Sequence, residues 1–142
     1  MPEKTFFMIK PDGVARGLVD EIFKRLVQAG LKVAVDRRAT ISEQQAAELY
    51  LPHLGKTFYD GLVKFITSGP VRLCLVEGER AIVKTRALMG ATDPLAAERG
   101  TIRGDLREKD VINEDGVIKN LVHGSDSLAS AQRELAIFFP GL

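Results

Sequence analysis

The stretch Thr5-Phe6-Phe7-Met8-Ile9-Lys10 constrains the fold more than any other part of the chain. In an extended strand, successive side chains point to opposite faces. Phe7 and Ile9 then point one way and Phe6 and Met8 the other, so both faces are apolar. Such a strand belongs in the middle of a sheet and is covered on both sides. Pro11-Asp12-Gly13 follows at once and forces a turn. Lys10 therefore sits at the exit of a buried strand, where a cation is costly without an anionic partner.

The remaining pattern supplies the layers. Leu18, Val19, Ile22, Phe23, Leu26 and Val27 recur at helical spacing, and Gly30 ends that helix. Leu31, Val33 and Val35 alternate with Lys32, Ala34 and Asp36, which predicts a second strand with one more polar face. Ser42 with Gln45 makes a capping box, so a helix is expected from Ser42 to Leu51, closed by Pro52. A further helix is expected from Phe58 to Ser68, then a strand from Val71 to Val76, then a helix from Ala81 to Met89. Ala91 to Gly116 reads as loop, and a loop of that length is usually functional or mobile. Leu121-Val122 reads as a short buried strand with His123 at its end. The last helix runs from about Leu128 to Phe139, with Leu128, Ala131, Leu135 and Phe138 on its inner face. Strands alternating with helices indicate α/β or α+β. The pattern alone leans towards a parallel sheet and leaves a small antiparallel one open.

Composition narrows the classes. A chain of 142 residues is expected to form one domain, residues 1–142, with a real core. The formal net charge of +1 gives no support to bulk polyanion binding, so no specific nucleic acid partner is expected. Cys74 is the single cysteine and lies in an apolar run, which predicts a buried thiol and no internal disulfide. No segment is apolar enough to span a membrane, and the first residues do not resemble a signal peptide. A cytoplasmic protein is expected.

The chemistry-bearing candidate is His123. It follows two apolar residues and precedes Gly124-Ser125-Asp126-Ser127, a run of good helix N-caps. A neutral imidazole there can attack phosphorus, although one histidine at a strand end is more often structural. Ser125 and Glu134 are its possible partners, since a carboxylate fixes an imidazole's tautomer. Lys10, Arg86 and Arg103 are candidate phosphate-binding cations, each otherwise an ordinary surface charge. Glycines flank Thr101-Ile102-Arg103 and would let the backbone approach a ligand closely. His53 follows Pro52 in a polar loop and reads as merely exposed. With two histidines and one cysteine, no zinc cluster is expected. Phosphate-loop and dinucleotide glycine fingerprints are absent from the sequence.

Three stretches together resemble the nucleoside diphosphate kinase family. They are Met8-Ile9-Lys10-Pro11-Asp12-Gly13-Val14, Gly100-Thr101-Ile102-Arg103-Gly104-Asp105, and Asn120-Leu121-Val122-His123-Gly124-Ser125-Asp126-Ser127, in that order. The resemblance implies a ferredoxin-like α+β sandwich with a four-stranded antiparallel sheet. It implies transfer of a γ-phosphoryl group from a nucleoside triphosphate to a diphosphate through a phosphohistidine. His123 matches the nucleophile, and Ser125 and Glu134 match the residues that position it. Lys10, Tyr50, Arg86, Thr92, Arg103 and Asn120 match residues around the phosphates and ribose. Phe58 and Leu62 match the slot where the base stacks, which implies little base selectivity. Mg²⁺ is implied as cofactor, held mainly by the nucleotide phosphates. A homo-oligomer, tetramer or hexamer, is also implied. Non-catalytic nucleotide binding on the same fold is the alternative.

Two departures from the family pattern stand out. The stretch between Arg103 and Asn120 is longer, with the insertion inside Leu106 to Gly116, so Val117 does not carry over simply to the base slot. The chain also stops soon after Phe139, without the tail of many relatives. The insertion is mostly charged but holds Val111 and Ile112, which predicts packing near the mouth of the site, against its own domain or a neighbouring subunit.

Overall fold

The computed structural model describes residues 2–142. Along the chain come β1 (Glu3–Ile9), α1 (Pro11–Ala15), α2 (Val19–Gln28), β2 (Lys32–Ala39), α3 (Glu43–Leu49), a 3-10 turn (Leu51–His53), α4 (Tyr59–Ile66), β3 (Val71–Gly78), α5 (Ala81–Met89), α6 (Ile102–Leu106), β4 (Val122–Gly124) and α7 (Leu128–Phe138). The four strands lie in the order β2-β3-β1-β4, and every neighbouring pair is antiparallel.

The fold is α+β with an antiparallel sheet, so the leaning towards a parallel sheet is corrected. β1 and β2 do run the same way, because each is antiparallel to β3. β3 and β4 likewise run the same way, each antiparallel to β1. Each helical crossover skips one place in the sheet, and the strand filling that place runs the other way. This is the split βαβ arrangement. The helix-strand alternation is identical in both cases, so it could not distinguish them.

β1 is central, as its two apolar faces require. Phe6, Phe7, Met8 and Ile9 are all 0% exposed. Phe6 and Met8 pack with Ala46 and Leu49 of α3, Ile66 of α4 and Phe138 of α7. Phe7 and Ile9 pack on the other face with Ile22 and Leu26 of α2, Ala81 and Met89 of α5, and Ile102 of α6. Burying each such side chain contributes roughly 1.5–3 kcal/mol. Helices therefore cover both faces of the sheet.

Several local expectations change. Pro11 opens a short helix rather than a bare turn, since its ring suits the first helical position. The pairing slips between Val33 and Val35. Val33 therefore faces the Phe7 side and Val35 the Phe6 side, although simple alternation puts them together. Leu128 is 56% exposed and lies outside the inner face of α7. Leu121 is not in a strand; its φ of 73° puts it in the left-handed region. The Ser42–Gln45 capping box forms as expected.

The long stretch after Gly90 is not wholly loop. Thr101 caps α6, its side chain accepting from the Gly104 N–H. Gly104 is small for packing, not for approach to a ligand: a Cβ there would lie 2.1 Å from the Glu98 carbonyl oxygen. The segment 111–119 folds as a small hairpin. Ile112 bridges Ile118, and Lys119 N–H donates to the Val111 carbonyl at 2.7 Å. Val111 and Val117 are buried, while Ile112 stays 52% exposed. The hairpin rests on α4, where a Cβ on Gly61 would lie 2.8 Å from Val117 Cγ2. Lys64 and Asp115 form an ion pair across that contact at 3.0 Å. This hairpin thus packs against its own domain.

Candidate active site

β4 places His123. It pairs opposite Met8 on β1, so its ring lies on the Phe6–Met8 face of the sheet. The Phe6 and His123 rings are 5.9 Å apart and tilted. Glycine is needed next in the chain, because a Cβ on Gly124 would lie 2.6 Å from Met89 Sδ. That close packing brings α5 over β4 and lets Arg86 Nη1 donate to the Gly124 carbonyl at 3.3 Å.

α7 supplies the partner of His123. Ser127 caps this helix, and Glu134 faces inward, 4% exposed. Glu134 Oε1 lies 2.7 Å from His123 Nε2 and accepts from Ser125 Oγ at 2.8 Å. Arg133 approaches the other oxygen, Oε2, at 3.5 Å. A carboxylate can only accept, so the imidazole proton sits on Nε2. Nδ1 then keeps its lone pair and is free for chemistry.

The cations converge on the same end. Lys10 is 6% exposed, and its Nζ donates to Asn120 Oδ1 at 2.8 Å. Burial lowers its pKa to about 8; Asp12 opposes that shift and Arg103 adds to it. Arg103, on α6, donates to the carbonyls of Asn120, Gly90 and Val122 at 3.1, 3.1 and 2.8 Å. Three of its five N–H groups are committed, which fixes the guanidinium and leaves two for a ligand. Burial, then the charge of Arg86, lowers its pKa to about 10. Asn120 also donates from Nδ2 to the Thr92 carbonyl at 3.0 Å. Tyr50 is buried beside Glu134 and Asp12, and burial first and their charges next raise its pKa.

Ten of the residues singled out from the sequence line one cleft of about 560 Å³, and Ser125 stands behind it, bonded to Glu134. At the outer end Phe58 is 42% exposed, and Leu62, one turn further along α4, lines the cleft with it. Lys56 Nζ sits 5.6 Å from the Phe58 ring centre.

Some cleft residues escaped the sequence reading. His53 is not merely exposed: its ring lies 5.6 Å from Phe58 and 6.1 Å from Tyr50. Its place three residues after Tyr50, in a turn, was the available signal. Asp126 and Ser130 line the cleft as well, and hydrogen bonds led by Ser130 hold the Asp126 carboxyl below the usual range. Gly116 and Ile118 of the hairpin form part of the wall, and so does Val117, whose carry-over to the base slot the longer loop put in question.

An imidazole with a free Nδ1, set among Lys10, Arg86 and Arg103 at the bottom of a cleft, is a site for phosphoryl groups. Comparison with known proteins agrees. The family model described as nucleoside diphosphate kinase matches residues 3–142. A nucleoside diphosphate kinase of Mycobacterium bovis is 49% identical over 142 residues, covering 99% of each chain. The structure of a Halobacterium salinarum nucleoside diphosphate kinase in complex with CDP has 47% identity and a TM-score of 0.89, covering 99% of this chain and 89% of that one. A Borrelia burgdorferi nucleoside-diphosphate kinase, a transition-state mimic with vanadate and ADP, has 36% identity and a TM-score of 0.89, covering 99% and 88%. The chain belongs to the nucleoside diphosphate kinase family and is an enzyme of phosphoryl transfer between nucleotides.

Proposed function

We propose that His123 carries the phosphoryl group, and that the enzyme moves a γ-phosphoryl from a nucleoside triphosphate to a diphosphate in two half-reactions. Nδ1 attacks the γ-phosphorus in line, the bond to the leaving diphosphate oxygen breaks, and a phosphohistidine remains. A second diphosphate enters the same cleft and takes the group back by the reverse step. The observation that carries this reading is the 2.7 Å contact of His123 Nε2 with Glu134, which commits one ring nitrogen and leaves the other. Ser125 shares Glu134 and stiffens the arrangement.

Phosphoryl transfer depends on position and charge more than on covalent help from the protein. Lys10, Arg86 and Arg103 neutralise the phosphate oxygens. Asn120 aligns Lys10. Tyr50 and Thr92 bound the space between the phosphates and the base. Phe58 and Leu62 take the base by stacking, which accepts every base because each has a π-face. The nucleotide ligands named for the Halobacterium salinarum and Borrelia burgdorferi proteins, CDP and ADP, fit that tolerance. Among the described residues, no three His, Cys, Asp or Glu side chains group to hold a metal ion, while Lys10, Arg86 and Arg103 line the cleft together. Mg²⁺ therefore fits as a partner of the phosphates, keeping waters and phosphate oxygens as ligands, and supplies further charge neutralisation when bound.

The whole chain 1–142 acts as a single domain, in the cytoplasm, as a homo-oligomer of four or six copies. No helix among the described residues is long and apolar enough to cross a membrane. Light scattering measures the assembly. Incubation with Mg²⁺ and γ-labelled ATP tests the carrier: acid-labile, base-stable label is expected on the parent protein and absent from His123→Ala. A folded His123→Ala protein that takes up comparable label contradicts it.

A further inference from the structure

Leu121 is one of two non-glycine residues with positive φ among the described residues. A side chain makes that backbone unfavourable, and it persists only where the surroundings hold it. The Val122 N–H closes the turn on the Asn120 carbonyl at 2.8 Å, Arg103 holds the carbonyls either side, and both hydrogen bonds of Leu121's own backbone groups go to one short segment. The Lys10 backbone N–H donates to the Leu121 carbonyl at 2.8 Å. The Leu121 N–H donates to Asp12 Oδ2 at 3.0 Å. The Leu121 side chain is fully buried with Phe7 and Ile9, so the residue cannot swing out.

What flanks Leu121 is the machinery. Asn120 before it bonds Lys10 Nζ and the Thr92 carbonyl. Val122 after it begins β4 and accepts from Arg103, and His123 follows. The left-handed turn at Leu121 lets Asn120 meet Lys10 while His123 keeps its register opposite Met8.

Asp12 has no part in the chemistry described above. Its residue is 8% exposed, and Oδ1 has no hydrogen-bond partner. Four groups face Lys10: Asp12 on α1, Arg103 on α6, the Phe65 ring on α4 at 5.9 Å, and Asn120. Asp12 is the negative one, and its charge works against the burial and the Arg103 repulsion that strip the proton from Lys10.

We propose that Asp12 is a positioning residue for phosphoryl transfer, latching Leu121 so that Asn120 holds Lys10 towards the phosphates while His123 keeps its register opposite Met8. The inference rests on His123 as carrier. It makes the segment Lys10-Pro11-Asp12 one device: the lysine meets phosphate, and the aspartate sets both the lysine's charge and the backbone that carries Asn120 and His123.

Two substitutions separate the roles. Asp12→Ala removes latch and charge; Asp12→Asn keeps an oxygen acceptor of the same shape and removes the charge alone. Both are followed by single-turnover labelling at subsaturating ATP, from neutral to alkaline pH, with circular dichroism at the same temperature. Asp12→Ala is expected to slow labelling about a hundredfold, the scale of a reacting group misplaced by an ångström. Asp12→Asn is expected to keep its near-neutral rate within about threefold while its alkaline limb moves to lower pH. A carboxylate needed only for folding would lower the melting temperature and change neither kinetic feature. A folded Asp12→Ala protein within about threefold of the parent overturns the proposal, as does an unmoved limb in Asp12→Asn. If Asp12→Ala does not fold, the limb in Asp12→Asn decides alone. A parent that takes no label refutes the carrier reading and this inference with it; a labelling parent with parent-like variants refutes this inference only.

Discussion

At the inner end of the cleft, polar atoms are committed to one another: Lys10 to Asn120, Arg103 to three carbonyls, Glu134 to both His123 and Ser125. At the outer end, Phe58 is 42% exposed, and its neighbours His53 and Lys56 contact each other and its ring. The two ends serve opposite needs. The reacting phosphorus requires one geometry, so the inner end is built from buried, over-determined side chains. In the proposed reaction the base changes from one nucleotide to the next, and an exposed ring such as Phe58 suits that by offering a face rather than reading edges.

Damage should therefore be large and general at the inner end. Arg103→Ala is expected to lower kcat by about 2.7–4 kcal/mol in transition-state stabilisation, the scale for losing one preorganised donor. A steady-state assay with ATP and a diphosphate acceptor checks it. Near-parental turnover would erase the distinction between the ends.

The hairpin at 111–119 comes next, because it forms part of the wall and rests on α4. Replacing Arg107 to Asp115 with a short Gly-Ser turn removes buried Val111 and the Lys64–Asp115 pair. Burial of one such side chain is worth roughly 1.5–3 kcal/mol. The melting temperature should fall and KM should rise while the phosphohistidine still forms. An unchanged melting temperature would show that the hairpin does not support the outer wall.

Phe58→Ala should weaken ATP, GTP, CTP and UTP alike, by about 1–3 kcal/mol. Competition binding measures this. One base affected far more than the others would mean an edge is read after all.

The smallest effect is pH dependence. In the empty cleft Lys10 loses its proton near pH 8, well below the ordinary lysine value, because it is buried. A cation is needed there, so kcat/KM, which reports the free enzyme, should fall as pH rises through about 8. It should not fall on the acid side of that value for this reason. A flat profile into strongly alkaline pH would remove Lys10 from the inner-end account.

The same contrast bears on what the sequence made legible. The central strand, the helix faces and the capping box followed from periodicity in Phe6 to Ile9, Ile22 to Leu26 and Ser42 to Gln45, which is local information. Strand direction did not, because the same crossovers serve parallel and split antiparallel sheets. The slip at Val33–Val35 depends on β3, not on β2's own pattern. The local reason at Arg103 is packing rather than approach to a ligand: Gly104 beside it makes room for the Glu98 carbonyl, Thr101 caps α6, and the guanidinium bonds run to β4 and Gly90. Asp12 shows in the sequence only as a turn former, since its partner Leu121 lies 109 residues away.

The central claim is that Nδ1 of His123 accepts the phosphoryl group because Glu134 holds Nε2. Labelled phosphoenzyme, purified and digested under alkaline conditions, can be resolved by mass spectrometry and by phosphorus NMR into the two phosphohistidine isomers. All of the acid-labile phosphate is predicted on His123, attached through Nδ1. Phosphate attached through Nε2, or carried stoichiometrically by another residue, would contradict the account.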